Sequence, residues 1–332
     1  MTKVKGLALV GILALLAPML TLNATTSAQD AASAPIEELN LGDFGGGSNP
    51  QINFNPYSPN ALSGGTSWMF EPLMIVDSYS CEVIPWLATA FGWPDPQTLQ
   101  FDIREGVTWS DGAPLTAEDV VFSHKLGQTN AALDSDQVWD LATDVTAEGN
   151  KVTFTFSEPA GALFNKIVDN PIVPKHQWET ESDPVTFTNE EPIGTGAFLV
   201  ESFDPSELVM VKNDAYWQTE KVQVQRLRYT KTEAGGQVAQ LAMSEGRYDW
   251  ADQFQPDIEQ TYVAKDPEHN KYWFPAGGST SLFMNHTKAP FNDVEFRRGI
   301  AYAFDREGMA QRVAYGYTGG ASQVYLTLPN QE

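Results

Sequence analysis

Leu99, Phe101 and Ile103 occupy alternate positions, and Val152, Phe154 and Phe156 do the same. Each segment is therefore predicted as a strand that turns one apolar face onto a core. Between them, Asp111-Gly112 is a turn signal. Thr116 followed three residues later by Asp119 reads as a helix start of the capping-box type, with Asp in place of the usual Glu or Gln. Behind it Ala117, Val120, Val121 and His124 fall on one helical face. His124 is thus expected as a partly buried helix residue and not as a metal ligand, since no second His, Cys or carboxylate sits at helical spacing beside it. Leu208 to Val211 and Leu227 to Tyr229 are further strands, and Gln237 to Gly246 is a helix ended by its glycine. From Asp293 onward Val294, the Arg297 stem, Ile300, Ala301 and Phe304 repeat with helical period. Asp305 is placed to cap a second helix running toward Gly316. Helices alternating with strands across long loops give the α/β class, without internal repeats.

The amino terminus changes the picture by setting a compartment. Lys3 and Lys5 precede an apolar run from Leu7 to Leu20, and small residues follow at Thr26 and Ala28. This is the pattern of a cleavable secretory signal over residues 1–28. The run is shorter than the ~20 apolar residues that cross a bilayer, and Pro18 interrupts it. A lipid anchor needs a cysteine at the cleavage point, whereas the single cysteine is Cys81, so the mature protein is expected free in the periplasm or medium. Residues 29–38 are small and polar and read as a flexible leader. Gly45 to Asn60 is dense in Gly, Asn and Pro, so it is loop, and loops of this kind carry binding groups.

Composition then bounds the chemistry. With 42% hydrophobic and 19% charged residues the 332-residue chain is globular. One cysteine makes no internal disulfide, so stability has to come from burial. Removing residues 1–28 takes away two lysines and no acid, so the formal charge of −23 becomes −25. That excess argues against nucleic-acid and anionic-membrane partners. No GxSxG elbow, HExxH helix or Cys/His pair is present, and the four histidines, His124, His176, His269 and His286, are scattered. A secreted hydrolase of glycosides or peptides is therefore the weaker reading; its only foothold is chance pairing among 43 acids. No catalytic residue, metal ligand or cofactor is assigned.

The block FDIREGVTWSDGAPLTAEDVVFS, from Phe101 to Ser123, resembles the corresponding block of the ABC transporter extracellular solute-binding proteins of family 5, the oligopeptide, dipeptide, nickel and oligosaccharide type. VIPWLATAF (Val83 to Phe91), PIVPKH (Pro171 to His176), PIGTGAF (Pro192 to Phe198), VMVKNDAYW (Val209 to Trp217), SEGRYDW (Ser244 to Trp250) and MNHTKAPFNDVEFRRGIAYAFDRE (Met284 to Glu307) follow in the family's order. Physically, Gly194 and Gly196 permit a tight turn that side chains would crowd. The resemblance implies a two-lobed periplasmic-binding-protein-like α/β fold of type II. Its first lobe is expected over residues 39–278, with a base sheet from 39–52 and 190–278 and an inserted subdomain at about 53–189. A second lobe is expected to begin over 279–332 and to be incomplete.

The same resemblance implies a monomeric substrate-binding subunit. It would enclose an oligopeptide or a β-oligosaccharide and deliver it to an ABC permease and ATPase, with no bond altered; a subunit that feeds a chemoreceptor would share every feature. NFNPYS (Asn53 to Ser58) and EPLMIVDSYSCEVIPWLA (Glu71 to Ala88) look closer to the branch that takes up β-linked oligosaccharides. Closure can be driven only by ligand contacts made in the closed state, and aromatic rings suit such contacts. The expected ligand contacts are Asn53 and Asn55 in the Gly/Asn/Pro loop, Trp68 just after it, Trp250 and Phe254 after the SEGRYD turn, and Asn285.

Overall fold

The computed structural model describes residues 35–42, 50–77, 80–231, 236–251, 255–272, 282–313 and 315–317. The expected export signal over residues 1–28 and Phe254 lie outside them. In chain order the main elements are β1 (Leu39–Gly42), α1 (Ser63–Met69), β2 (Met74–Val76), β3 (Val83–Pro85), β4 (Ala88–Asp95), β5 (Thr98–Ile103), α2 (Ala117–Thr129), β6 (Ala142–Glu148) and β7 (Lys151–Phe156). They continue as α3 (Phe164–Asp169), α4 (Lys175–Trp178), β8 (Phe198–Asp204), β9 (Glu207–Lys212), β10 (Arg226–Thr230), α5 (Gly236–Ser244), α6 (Ile258–Thr261), α7 (Val294–Ala303) and α8 (Arg306–Val313). The protein is α/β.

Two four-stranded sheets organise the chain. The first has the order β1-β10-β9-β8, and the second the order β4-β5-β7-β6. The second is antiparallel throughout and lies between β1 and β8 in sequence. Its alternating residues behave as their spacing requires: Leu99, Phe101, Ile103, Val152, Phe154 and Phe156 are all buried. They meet Val120, Val121 and Ile167 from α2 and α3 in one apolar cluster. A second cluster joins Leu41, Phe198, Leu208, Met210, Leu227 and Tyr229 of the first sheet to Met69 of α1, to Leu62 just before it, and to Leu126 and Trp178. β9 buries Leu208, Val209 and Met210 in succession, so alternation fails where both faces of a strand are covered.

α2 starts as its sequence implies. The Thr116 backbone N–H and hydroxyl both donate to Asp119 Oδ2, at 2.8 and 2.8 Å. Asp119 Oδ1 accepts the Lys175 N–H of α4 at 2.9 Å. One buried carboxylate thus satisfies an orphan donor at the helix start and ties two helices together. Asp119→Ala is expected to cost about 2 kcal/mol, because three donors lose a charged acceptor in a site that water barely reaches. Urea denaturation measures it, and a loss under ~0.5 kcal/mol would contradict this role. Before the helix, Gly112 takes φ +90° in the Asp111-Gly112 turn, and the Asp111 side chain accepts the Ala113 N–H. Downstream, Asp293 accepts the Glu295 N–H to cap α7, and Asp305 accepts the Gly308 N–H at the start of α8.

Candidate ligand-binding site

The first sheet builds one edge at which several chain segments emerge together. β1 and β10 are parallel, with Gly42 opposite Thr230. On the other side of β1 a parallel bridge pairs Leu41 with Trp250. Three adjacent segments, carrying Gly42, Thr230 and Trp250, therefore run side by side in one direction. Gly42 sits so close that a Cβ there would stand 3.1 Å from the Ala251 Cβ. In open α/β sheets the carboxyl ends of parallel strands are where loops converge and ligands bind.

Asn40 and Asp249 fix this edge. The Asn40 carbonyl accepts the Asp249 N–H at 2.8 Å and the Trp250 N–H at 3.3 Å. In return Asp249 Oδ2 accepts both the backbone and the side-chain N–H of Asn40, at 2.7 and 3.1 Å. The backbone of Trp250 is thereby locked to β1 while 52% of the residue stays exposed. An immobilised backbone presenting a free indole loses little entropy when a ligand stacks on it.

The other anticipated contacts have partners of their own. Asn53 Oδ1 accepts the Asn55 N–H at 3.0 Å, and its amide donates to Ser58 Oγ. Asn55 is wholly buried; its amide donates to the Pro184 and Phe187 carbonyls at 3.0 and 2.8 Å, and its Oδ1 accepts the Tyr57 N–H. Asn53 thus braces the Asn/Pro loop internally, and Asn55 holds it against residues 184–187. Trp68 donates to Tyr229 Oη at 2.6 Å and sets its ring edge-on to Phe198 at 5.5 Å. Asn285 is exposed, and its Oδ1 accepts the backbone N–H and hydroxyl of Thr287. The structure thus unites Asn53 with Asn55, and leaves Trp250 with its ring open to solvent.

One buried polar centre escaped the sequence reading. Glu71, which follows α1, is only 6% exposed and lies where three aromatic side chains meet. Its carboxylate accepts Trp86 Nε1–H at 2.7 Å, Tyr216 Oη–H at 3.2 Å and Trp217 Nε1–H at 3.2 Å. Burial pushes its pKa up, and these hydrogen bonds partly offset the rise. Arg104 stacks 4.3 Å above the Trp217 ring and donates to the Trp86 carbonyl at 2.7 Å. The indoles of Trp86 and Trp217 also meet edge to face at 5.4 Å. The available signal was a lone acid inside the apolar run Trp68 to Val76.

No group of three or more His, Cys, Asp or Glu side chains among the described residues could hold a metal ion. His176 pairs with Asp111 at 2.8 Å and His269 with Asp266 at 3.0 Å, both at the surface. No helix among the described residues is long and apolar enough to cross a membrane.

Residues 82–330 match the family model for bacterial extracellular solute-binding proteins, family 5. A probable D,D-dipeptide-binding periplasmic protein of Escherichia coli (strain K12) is 26% identical over 232 residues, covering 67% of this chain and 43% of that protein. A nickel-binding protein of Staphylococcus aureus (strain NCTC 8325 / PS 47) is 26% identical over 246 residues, 72% of this chain and 47% of that one. The chain thus spans less than half the length of these two curated relatives. Among solved structures, a periplasmic oligopeptide-binding protein of Thermotoga maritima superposes with a TM-score of 0.74 at 28% identity, over 85% of this chain and 54% of that one. The same Thermotoga protein with mannohexaose bound gives a TM-score of 0.75.

Proposed function

Because the chain belongs to the bacterial extracellular solute-binding proteins of family 5, we propose that it captures an oligopeptide or a β-oligosaccharide outside the cytoplasm and delivers it to an ABC permease and its ATPase. The observation that carries this reading is the exposed Trp250 indole, locked by backbone pairing at the carboxyl edge of the first sheet. A flat apolar ring at a converging edge recognises a sugar face or an apolar side chain and performs no chemistry. In this proposal residues 1–28 are an export signal and 29–38 a leader. Residues 39–278 form the first lobe, with a base sheet from 39–52 and 190–278 around an insertion at about 53–189, and 279–332 begin a second. Phe254 and Asn285 are proposed to join Trp250 at the ligand, while Asn53, Asn55 and Trp68 act by shaping the wall.

Relatives point to both ligand classes, since one is named for a dipeptide and another carries mannohexaose. A thermal-shift screen separates them. A ligand present at 100 times its Kd stabilises the folded state by about 2.7 kcal/mol. Either di- and tripeptides or cello-oligosaccharides are expected to raise the Tm, and Trp250→Ala is expected to remove that rise with the unliganded Tm nearly unchanged. A flat response to both classes sinks the binding reading. So does turnover of a chromogenic glycoside or peptide that persists through purification.

A further inference from the structure

The backbone pairing that holds Trp250 is thin. Its N–H donates to the Asn40 carbonyl at 3.3 Å and its carbonyl accepts the Gly42 N–H at 3.2 Å, both at the long end for such bonds. Among the described residues the pairing of Leu41 with Trp250 is an isolated bridge, with no ladder to either side. Paired positions of neighbouring segments turn their side chains to the same side of a sheet. Trp250 therefore continues the row of Leu41 and Tyr229, two residues buried in the core of the first sheet. A slip of one residue would carry the indole to the opposite face, and two long hydrogen bonds guard weakly against it.

A side chain supplies the guard. In a continuing parallel ladder the Asn40 N–H would go to the carbonyl of residue 248. Instead it donates to Asp249 Oδ2 at 2.7 Å, and the Asn40 side-chain amide donates to the same oxygen at 3.1 Å. The Asp249 N–H returns to the Asn40 carbonyl at 2.8 Å. The carboxylate thus stands in for the missing ladder acceptor, and bonds to an ionised acceptor are about twice as strong as neutral ones. Moving the chain by one residue displaces that carboxylate by about 3.3 Å, which breaks all of these contacts together.

We propose that Asp249 is a positioning residue for cargo capture: it fixes the register of the Leu41–Trp250 bridge and so decides on which face of the first sheet the indole stands when a ligand arrives. This role presupposes capture at the Trp250 edge. Asp249 acts through Asn40 and the backbone, without touching the cargo. The order it imposes is in place before binding, so the ligand does not have to supply it.

Amide hydrogen exchange resolved at Trp250 and Gly42, together with thermal-shift titration by cello-oligosaccharides and di- and tripeptides, tests it on the whole chain. Asp249→Ala is expected to speed exchange of both amides about tenfold or more and to weaken binding of whichever probe the parent protein takes up roughly tenfold. The Tm without probe should move little, since these are exposed contacts. Asp249→Asn keeps an acceptor oxygen for the Asn40 N–H and should return exchange and affinity to within about twofold of the parent. Glu245→Gln removes an acid of the same turn that is paired with Arg247; it controls for charge and should behave as the parent. Unchanged exchange in Asp249→Ala, unchanged probe affinity there, or equal losses in Asp249→Asn and Asp249→Ala would each overturn the role. A parent protein that responds to none of the probes contradicts capture itself, and the role falls with it, while the exchange rates separately report whether Asp249 holds the bridge.

Discussion

Glu71→Ala is expected to remove about 3–5 kcal/mol of folding stability, a large share of the total for a domain of this kind. The substitution strands three donors at once: Trp86 Nε1–H, Trp217 Nε1–H and Tyr216 Oη–H, all of which point at one carboxylate. It also opens a void between the residues just before β4 and the segment that follows β9. Trp86 and Trp217 are only partly buried, so water reaches some of the abandoned donors, and the cost stays below three full penalties. Glu71→Gln keeps an acceptor oxygen and sheds the buried charge, so its loss at neutral pH is expected to stay within about 1 kcal/mol.

The pH dependence separates this account from simple packing. Burial raises the folded pKa of Glu71 above its ordinary value, so folding favours the protonated acid. Its contribution is therefore most favourable below the unfolded pKa and declines as pH rises through the folded one. Glu71→Gln lacks that titration. Relative to the parent protein it should become more stable between acid and neutral pH. Paired urea titrations across that range read the difference directly, and a constant gap would mean that the carboxylate is not the titrating group.

What the amino-acid sequence made legible follows from where a single period governs. In β5 and β7 only one face is covered by α2 and α3, so alternation names the buried residues, Phe101 and Phe154 among them. Thr116 and Asp119 were legible because a helix start has few chemical solutions. β9 reads less cleanly because Leu208, Val209 and Met210 are covered on both faces. The site was harder. Trp250 was marked by its place after the SEGRYD turn, whereas the parallel bridge to Leu41 that fixes its backbone joins residues far apart in sequence and has no local signature. Asn55 looked like a binding group because polar loop residues often are, but a buried amide that spans the Pro184 and Phe187 carbonyls reflects contacts 129 and 132 residues distant, which no local pattern announces. Glu71 was invisible for the same reason: its donors come from residues 86, 216 and 217.

Gly196→Ala is the second substitution with a large expected effect, roughly 3 kcal/mol or more. The PIGTGAF run reads in sequence as a turn that side chains would crowd, and the structure identifies what does the crowding. A Cβ on Gly196 would overlap the Trp68 carbonyl, and one on Gly194 the Met69 carbonyl, both at the end of α1. The obstacle is backbone, so no rotamer change relieves it. Nor can residues 194–196 retreat. The Gly196 N–H donates to the Met69 carbonyl at 3.0 Å, the Gly196 carbonyl accepts the Asn213 amide at 2.9 Å, and the Gly194 carbonyl accepts the Ser110 N–H at 2.9 Å. An added methyl must therefore push α1 off the sheet that carries Leu208 and Met210, and the core between them opens. Gly299→Ala in α7 is the matched control: nothing lies within 4 Å of its Cβ position, so the same substitution inside a helix should stabilise by up to about 1 kcal/mol. Opposite signs from the two variants in one thermal melt are the expected result. A neutral Gly196→Ala would show that the end of α1 yields freely, and that the turn is not what clamps this helix to the first sheet.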